Sequence, residues 1–219
     1  MTGKERAIVE KTAEFVKEVL INAESGHDWW HVYRVYKTAV LIAEKENADI
    51  FTVSLGALLH DIADAKFHNG DEEKAPARAR KFLTETGVDK DITEKVIEII
   101  RYVSFKNRDE AAAHFSKELA AVQDADRIDA LGAIGIARTF NYGGYKNRAI
   151  YDPAIKPSPH QTKEEYKKSS APTINHFYEK LLLLKDMMNT ETGKKLAEGR
   201  HKYMEEFLER FFKEWEGEL

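Results

Sequence analysis

The chain has 219 residues, 42% of them hydrophobic, with 12 glycines and 5 prolines, the composition of an ordinary folded protein rather than a disordered or collagen-like one. It contains no cysteine, which excludes disulfides, thiolate metal sites and cysteine nucleophiles; any metal must be held by His, Asp or Glu. With 34 Lys and Arg against 38 Asp and Glu, a net charge of −4, there is no basic footprint for nucleic acid.

A chain this long hides about 70% of its surface on folding, enough for one substantial core. No apolar run approaches the ~18 residues of a membrane span, and Met1–Arg6 leads into an amphipathic stretch rather than a signal peptide. A cytoplasmic protein with no membrane partner is the expectation.

Nearly every segment carries a helical period. Residues 5–22 place Ile8, Phe15, Val16 and Val19 on one stripe, and residues 28–46 carry Val35, Ala39 and Ile42. Residues 50–63 are apolar almost all round, which predicts a buried central helix. A helix starts near Pro76 and runs to Thr86 before Gly87. Periodic apolar residues then span 91–103 and 116–138. No run alternates as a strand would, so the fold class is all-α. The stretch 141–161 breaks the pattern with Gly143-Gly144, three prolines, three tyrosines and several cations; it reads as a long loop. Helical period resumes near Thr173, breaks at 189–193 and ends in aromatic stripes (Phe177, then Phe207, Phe211 and Trp215). Those stripes pack on the core or form a homodimer face.

Eight histidines are scattered along the chain, and a lone histidine carries no message. His60-Asp61, however, closes the apolar 50–63 helix, where burying either group without a partner costs several kcal/mol. His31 shares its helix face with His27 and Arg34. Asp126 falls on the inward face of a helix rich in Ala, Leu and Ile. Imidazoles with carboxylates suit Mn²⁺, Fe²⁺, Co²⁺, Ni²⁺ or Zn²⁺ and leave positions for water and substrate oxygens. On residues alone, each of these groups could equally be an exposed one.

His31, His60-Asp61 and Asp126 in that order resemble the H…HD…D signature of the HD-domain metal-dependent phosphohydrolases. The surrounding blocks GHDWWHVYRV (26–35), LLHDIADAKFHNGDE (58–72), QDADRIDALGAIGIAR (123–138) and GGYKNRAIYDP (143–153) are similar to a subgroup of small bacterial members about this long. The resemblance spans nearly the whole chain. It implies one HD-type helical bundle over 1–219, with a core of about 20–140, the 141–161 loop and C-terminal helices over 173–216. It further implies that His31, His60, Asp61 and Asp126 hold one divalent metal, Mn²⁺ being favoured and Mg²⁺ allowed, with His27 nearby as a substrate contact. The stretch 100–105 lacks the extra histidines with which some relatives hold a second metal.

Phosphoryl transfer also needs cations and a proton acceptor. Asp64 is suited to accept a proton from water, and Lys66, Arg34 and Arg127 are suited to phosphate oxygens. Asp129 reads as a partner for Arg127. Tyr145, Lys146 and Arg148 in the loop are suited to stacking and to phosphates. The subgroup's implied reaction is hydrolysis of (deoxy)nucleoside triphosphates to monophosphate and pyrophosphate. The alternatives are a nucleoside monophosphate phosphatase, a cyclic-nucleotide phosphodiesterase and a non-catalytic nucleotide-binding module.

Overall fold

The computed structural model describes residues 1–21, 28–62, 73–104, 114–158 and 170–219. Among them are nine α-helices and no strand. In chain order they are α1 (Gly3–Val19), α2 (Trp29–Glu46), α3 (Ile50–Leu59), α4 (Lys74–Glu85), α5 (Lys90–Tyr102), α6 (Lys117–Asp129), α7 (Gly132–Tyr145), α8 (Asn175–Glu179) and α9 (Glu191–Trp215), with a 3₁₀ helix at Leu181–Met187 before α9. No described helix is long and apolar enough to cross a membrane. By compactness the chain divides into an N-terminal unit, 1–126 with 189–192, and a C-terminal unit, 127–188 with 193–219.

In the N-terminal unit the helices begin where short polar side chains can cap them. Thr2 and Glu5 form a reciprocal capping box at α1, and Asp28 caps α2 by accepting from the His31 backbone N–H at 2.9 Å. Asp49 caps α3 through the Thr52 N–H at 3.0 Å. Every residue from Phe51 to Leu59 is buried, as the all-round apolar pattern requires, and α1, α2 and α5 all pack against α3. The approach of α5 is close: a Cβ on Gly56 would sit 2.8 Å from Ile99 Cδ1, so glycine is what lets these helices touch. Leu55, Leu58, Leu59, Leu83 and Val96 lie fully inside this core, each worth about 1.5–3 kcal/mol.

The reading of 116–138 as one helix is corrected by a break between α6 and α7. Leu131 is extended and Gly132 adopts φ +71°, a conformation that costs other residues a steric penalty. Its missing side chain also admits Arg200, whose Cβ lies 3.1 Å from where a Cβ on Gly132 would be and whose guanidinium donates to the Ile128 carbonyl at 2.8 Å. The expected loop at 141 also starts later. Residues 141–145 continue α7, because Gly143 packs against Thr173, where a side chain would collide with the threonine hydroxyl. The aromatic stripes of the C-terminal unit pack on one another, with Phe177 against Phe140 and Phe207, and Tyr151 against Phe212 and Trp215.

Candidate metal centre

His31 occupies the first turn of α2, fixed there by the Asp28 cap, and is 2% exposed. His60 is the C-terminal cap of α3, at the point where the apolar helix runs out, and Asp61 follows it. Asp126 sits near the end of α6. These three helix ends bring four ionisable side chains together within the N-terminal unit. Asp61 Oδ2 lies 3.5 Å from both His31 Nε2 and His60 Nε2. Asp126 Oδ1 lies 3.4 Å from His31 Nε2 and 4.0 Å from His60 Nε2. The donor atoms of His31, His60 and Asp126 all fall within 4.8 Å of one another.

These spacings suit a shared cation better than direct hydrogen bonds. Ligands about 2.1 Å from one ion stand about 3.0–3.4 Å apart as neighbours and about 4.2 Å apart across it. The state of His60 is more telling. Its Nδ1 donates to the Ala57 carbonyl at 2.8 Å, so Nε2 carries the lone pair. That Nε2 is buried and, among the described residues, has no hydrogen-bond partner. A buried imidazole nitrogen left with an unused lone pair is costly, and a metal ion would accept that pair. Asp126 agrees in charge. Burial pushes its carboxyl up, but its interaction with the neighbouring His31 outweighs this and holds it below the usual carboxylate range.

The other candidates divide. Arg34 is half-buried one turn beyond His31. Arg127 is buried and donates to the Met187 carbonyl at 2.6 Å. Asp129, expected beside Arg127, has its carboxylate paired with Arg138. In the C-terminal unit Lys146 lies 4.8 Å from the ring of Tyr145, which is largely exposed, and Arg148 lies 5.8 Å from Tyr142. His27, Asp64 and Lys66 lie outside the described residues. Two features of the centre had no signal in the sequence pattern: the Ala57 carbonyl that orients His60, and the latch on neighbouring Asp124. The Asp124 carboxylate accepts from Asn189 N at 2.8 Å and from the backbone and hydroxyl of Thr190 at 2.8 and 2.7 Å.

Helix ends that hold two imidazoles and two carboxylates about one point define a class, and residues 29–131 match the HD domain family. The chain belongs to that family and is a metal-dependent phosphohydrolase of the HD superfamily. It is 39% identical to YpgQ of Bacillus subtilis (strain 168) over 222 residues, 98% of this chain and 97% of that protein. An HD-superfamily hydrolase of Bacillus thuringiensis superposes with a TM-score of 0.78 at 45% identity, over 97% of this chain and 98% of that one. The structure of B. subtilis YpgQ in complex with ADP superposes with a TM-score of 0.76 at 35% identity, over 96% of each chain.

Proposed function

We propose that this chain hydrolyses nucleoside triphosphates, with deoxynucleotides among them, to the monophosphate and pyrophosphate. The observation that carries the reading is the partnerless His60 Nε2 facing Asp61 and beside His31 and Asp126. The nucleotide half draws on the ADP complex of YpgQ, a relative covering nearly the whole chain. When bound, a divalent ion there supplies polarisation of a phosphoryl oxygen and a water of lowered pKa. The chain does the rest. The Ala57 carbonyl fixes the orientation of the His60 imidazole, and the Asp28 cap holds the His31 backbone in the first turn of α2. Asp64 accepts the proton from the attacking water, and Lys66, Arg34 and Arg127 offset charge on the phosphates. His27 is a further substrate contact. Tyr145, Lys146 and Arg148 serve stacking and phosphate binding, and the cytoplasm is the compartment that holds such substrates.

The two imidazoles favour Mn²⁺ over Mg²⁺, which prefers oxygen ligands. The test is a panel of nucleotides assayed with Mn²⁺, Mg²⁺, Co²⁺ and Ni²⁺, with analysis of both products. Pyrophosphate and monophosphate, highest with Mn²⁺ and abolished by chelation, are expected. Orthophosphate released from monophosphates, or opening of cyclic nucleotides, would replace the pyrophosphohydrolase reading. Full turnover in excess chelator would overturn the role of the metal.

A further inference from the structure

The metal centre takes His60 from the end of α3 and Asp126 from α6, so its geometry depends on how those two helices are held. His60 Nε2 and Asp126 Oδ1 stand 4.0 Å apart. Ligands of one ion keep their distances to within about 0.2 Å, and a site loose by about 1 Å no longer grips it. Whatever fixes α6 relative to α3 is therefore part of the site.

One buried side chain on α6 is placed to do this. Gln123 is 6% exposed and lies one turn before Asp126, about 4.5 Å along the helix axis and on a neighbouring strip of its surface. Its Nε2 donates to the Tyr102 carbonyl at 2.8 Å, and its Oε1 accepts from Asn189 Nδ2 at 2.9 Å. Tyr102 is the last residue of α5, where helix carbonyls run out of partners within the helix. The Gln123 amide supplies the donor that α5 itself lacks.

Helix α5 is in turn fixed against α3. Ile99, one turn before Tyr102, meets Gly56 so closely that a Cβ on Gly56 would lie 2.8 Å from Ile99 Cδ1 and 2.9 Å from Ile99 Cγ2. Gly56 precedes Ala57, whose carbonyl orients the His60 ring. Named contacts therefore lead from Asp126 through Gln123, Tyr102, Ile99, Gly56 and Ala57 to His60, all within the N-terminal unit. Helix α5 contributes none of the four ligands, yet α3 and α6 are both referenced to it. An apolar side chain of the same size would fill the space of Gln123, but packing is non-directional, whereas a hydrogen bond also sets how far α6 slides along its neighbour.

We propose that Gln123 is a positioning residue for the metal centre: by tying α6 to the end of α5, it sets Asp126 at the distance from His60 that one divalent ion needs. It acts through Asp126 and is not itself a ligand.

The experiment uses the full chain and Gln123→Met, which keeps the length and bulk of the side chain but cannot donate to Tyr102. Mn²⁺ is titrated by calorimetry into each chelator-stripped, folded protein, and urea unfolding in excess chelator gives the stability of each. Gln123→Met should still bind one ion, about tenfold more weakly than the parent, as is usual when a partner behind a metal ligand is lost. Asp49→Ala, which weakens a cap at the far end of α3, is the control for lost stability alone and should bind Mn²⁺ like the parent. If Gln123→Met does not fold, Gln123→Asn, one methylene too short to span to α5, is expected to weaken Mn²⁺ in the same way. Gly56→Ala, which forces α5 away from α3, should weaken Mn²⁺ as well, and its combination with Gln123→Met should lose less than the product of the two, because both act on one spacer. A loss in the Gln123 variant of less than about threefold, or an equal loss in Asp49→Ala, would overturn the proposal and leave Gln123 as a tie of the fold only. Failure of the parent itself to bind Mn²⁺ would overturn the metal centre, and the proposal with it.

Discussion

Asp124 and Asp126 are two residues apart on α6, yet their surroundings are opposite in kind. Asp124 is fully buried, and its two oxygens receive four hydrogen bonds from Asn189 and Thr190, all between 2.7 and 3.0 Å. Asp126 keeps about a third of its side chain exposed and faces imidazole nitrogens at 3.4 and 4.0 Å. The first carboxylate is saturated by the protein, and a cation there would have to displace donors. The second meets its imidazole neighbours at longer range, with the His60 lone pair opposite it. Saturation separates a structural acid from a ligating one; burial alone would have chosen Asp124.

The largest effect that tests this contrast is at Asp126. Asp126→Ala should remove stoichiometric metal, read by elemental analysis of the purified protein, and reduce turnover by about 10³ or more. In chelator its stability should stay within about 1 kcal/mol of the parent, because no short hydrogen bond is lost. Metal retained at full stoichiometry in Asp126→Ala would break the comparison.

Asp124→Ala should do the reverse. It leaves the donors of Asn189 and Thr190 without an acceptor, which costs about 2–4 kcal/mol in urea unfolding. The folded fraction should still bind metal and turn over within a few-fold of the parent. Loss of metal without loss of stability would place the ligand at Asp124.

These contrasts also mark what was legible from the sequence. Helices α1 to α5 follow from their apolar period, and the convergence of His31, His60-Asp61 and Asp126 rests on inward phase and the order of the blocks. The latch on Asp124 was not legible. Its partners come 65 and 66 residues later, and a pairing at that distance leaves no local period. The same holds for Asp129, where the neighbour Arg127 looked the natural partner but Arg138, one helix on, supplies the pairing. Gly132 reads as an ordinary glycine in an alanine-rich helix until Arg200, 68 positions later, is placed beside it. Gly143-Gly144 suggested a loop because glycine lowers helix propensity by about 1 kcal/mol, a cost that the close packing on Thr173 overrides.

A third test extends the comparison to a base. Burial, with Lys180 and Arg148 close by, lowers the His176 pKa to about 3. The folded pKa lies below the unfolded one, so the unfolded chain takes up a proton first as pH falls. Stability is therefore complete above about pH 6.5 and is lost progressively towards pH 3, by about 2 kcal/mol at pH 5. Urea midpoints at pH 7 and pH 5 should differ in the parent, and the difference should shrink in His176→Gln. An unchanged difference would show that the imidazole is no different from one in water.

The smallest expected effect is at Asp49, which is saturated like Asp124 but nearer to solvent. It caps α3, accepting from the N–H and the hydroxyl of Thr52. Burial raises its carboxyl, and the Thr52 hydroxyl, the N–H groups of Thr52 and Phe51 and the charge of Lys95 bring it below the ordinary range. The stability it contributes is therefore present above the ordinary carboxylate pKa and lost as pH falls through the lowered one. Asp49→Ala should cost about 1 kcal/mol at pH 7, the usual loss for a helix cap, and lower the Tm by about 2–4 °C. Asp49→Asn, which keeps an acceptor, should cost less. Neither should alter metal content or turnover. α3 has ten residues, so its cap stands about 15 Å from the end that carries His60, and fraying at one end does not move the other. If Asp49→Ala lowered metal occupancy as well as Tm, saturation would no longer separate the two kinds of carboxylate, because an acid with a full set of donors would then be supporting the metal centre along the length of the helix.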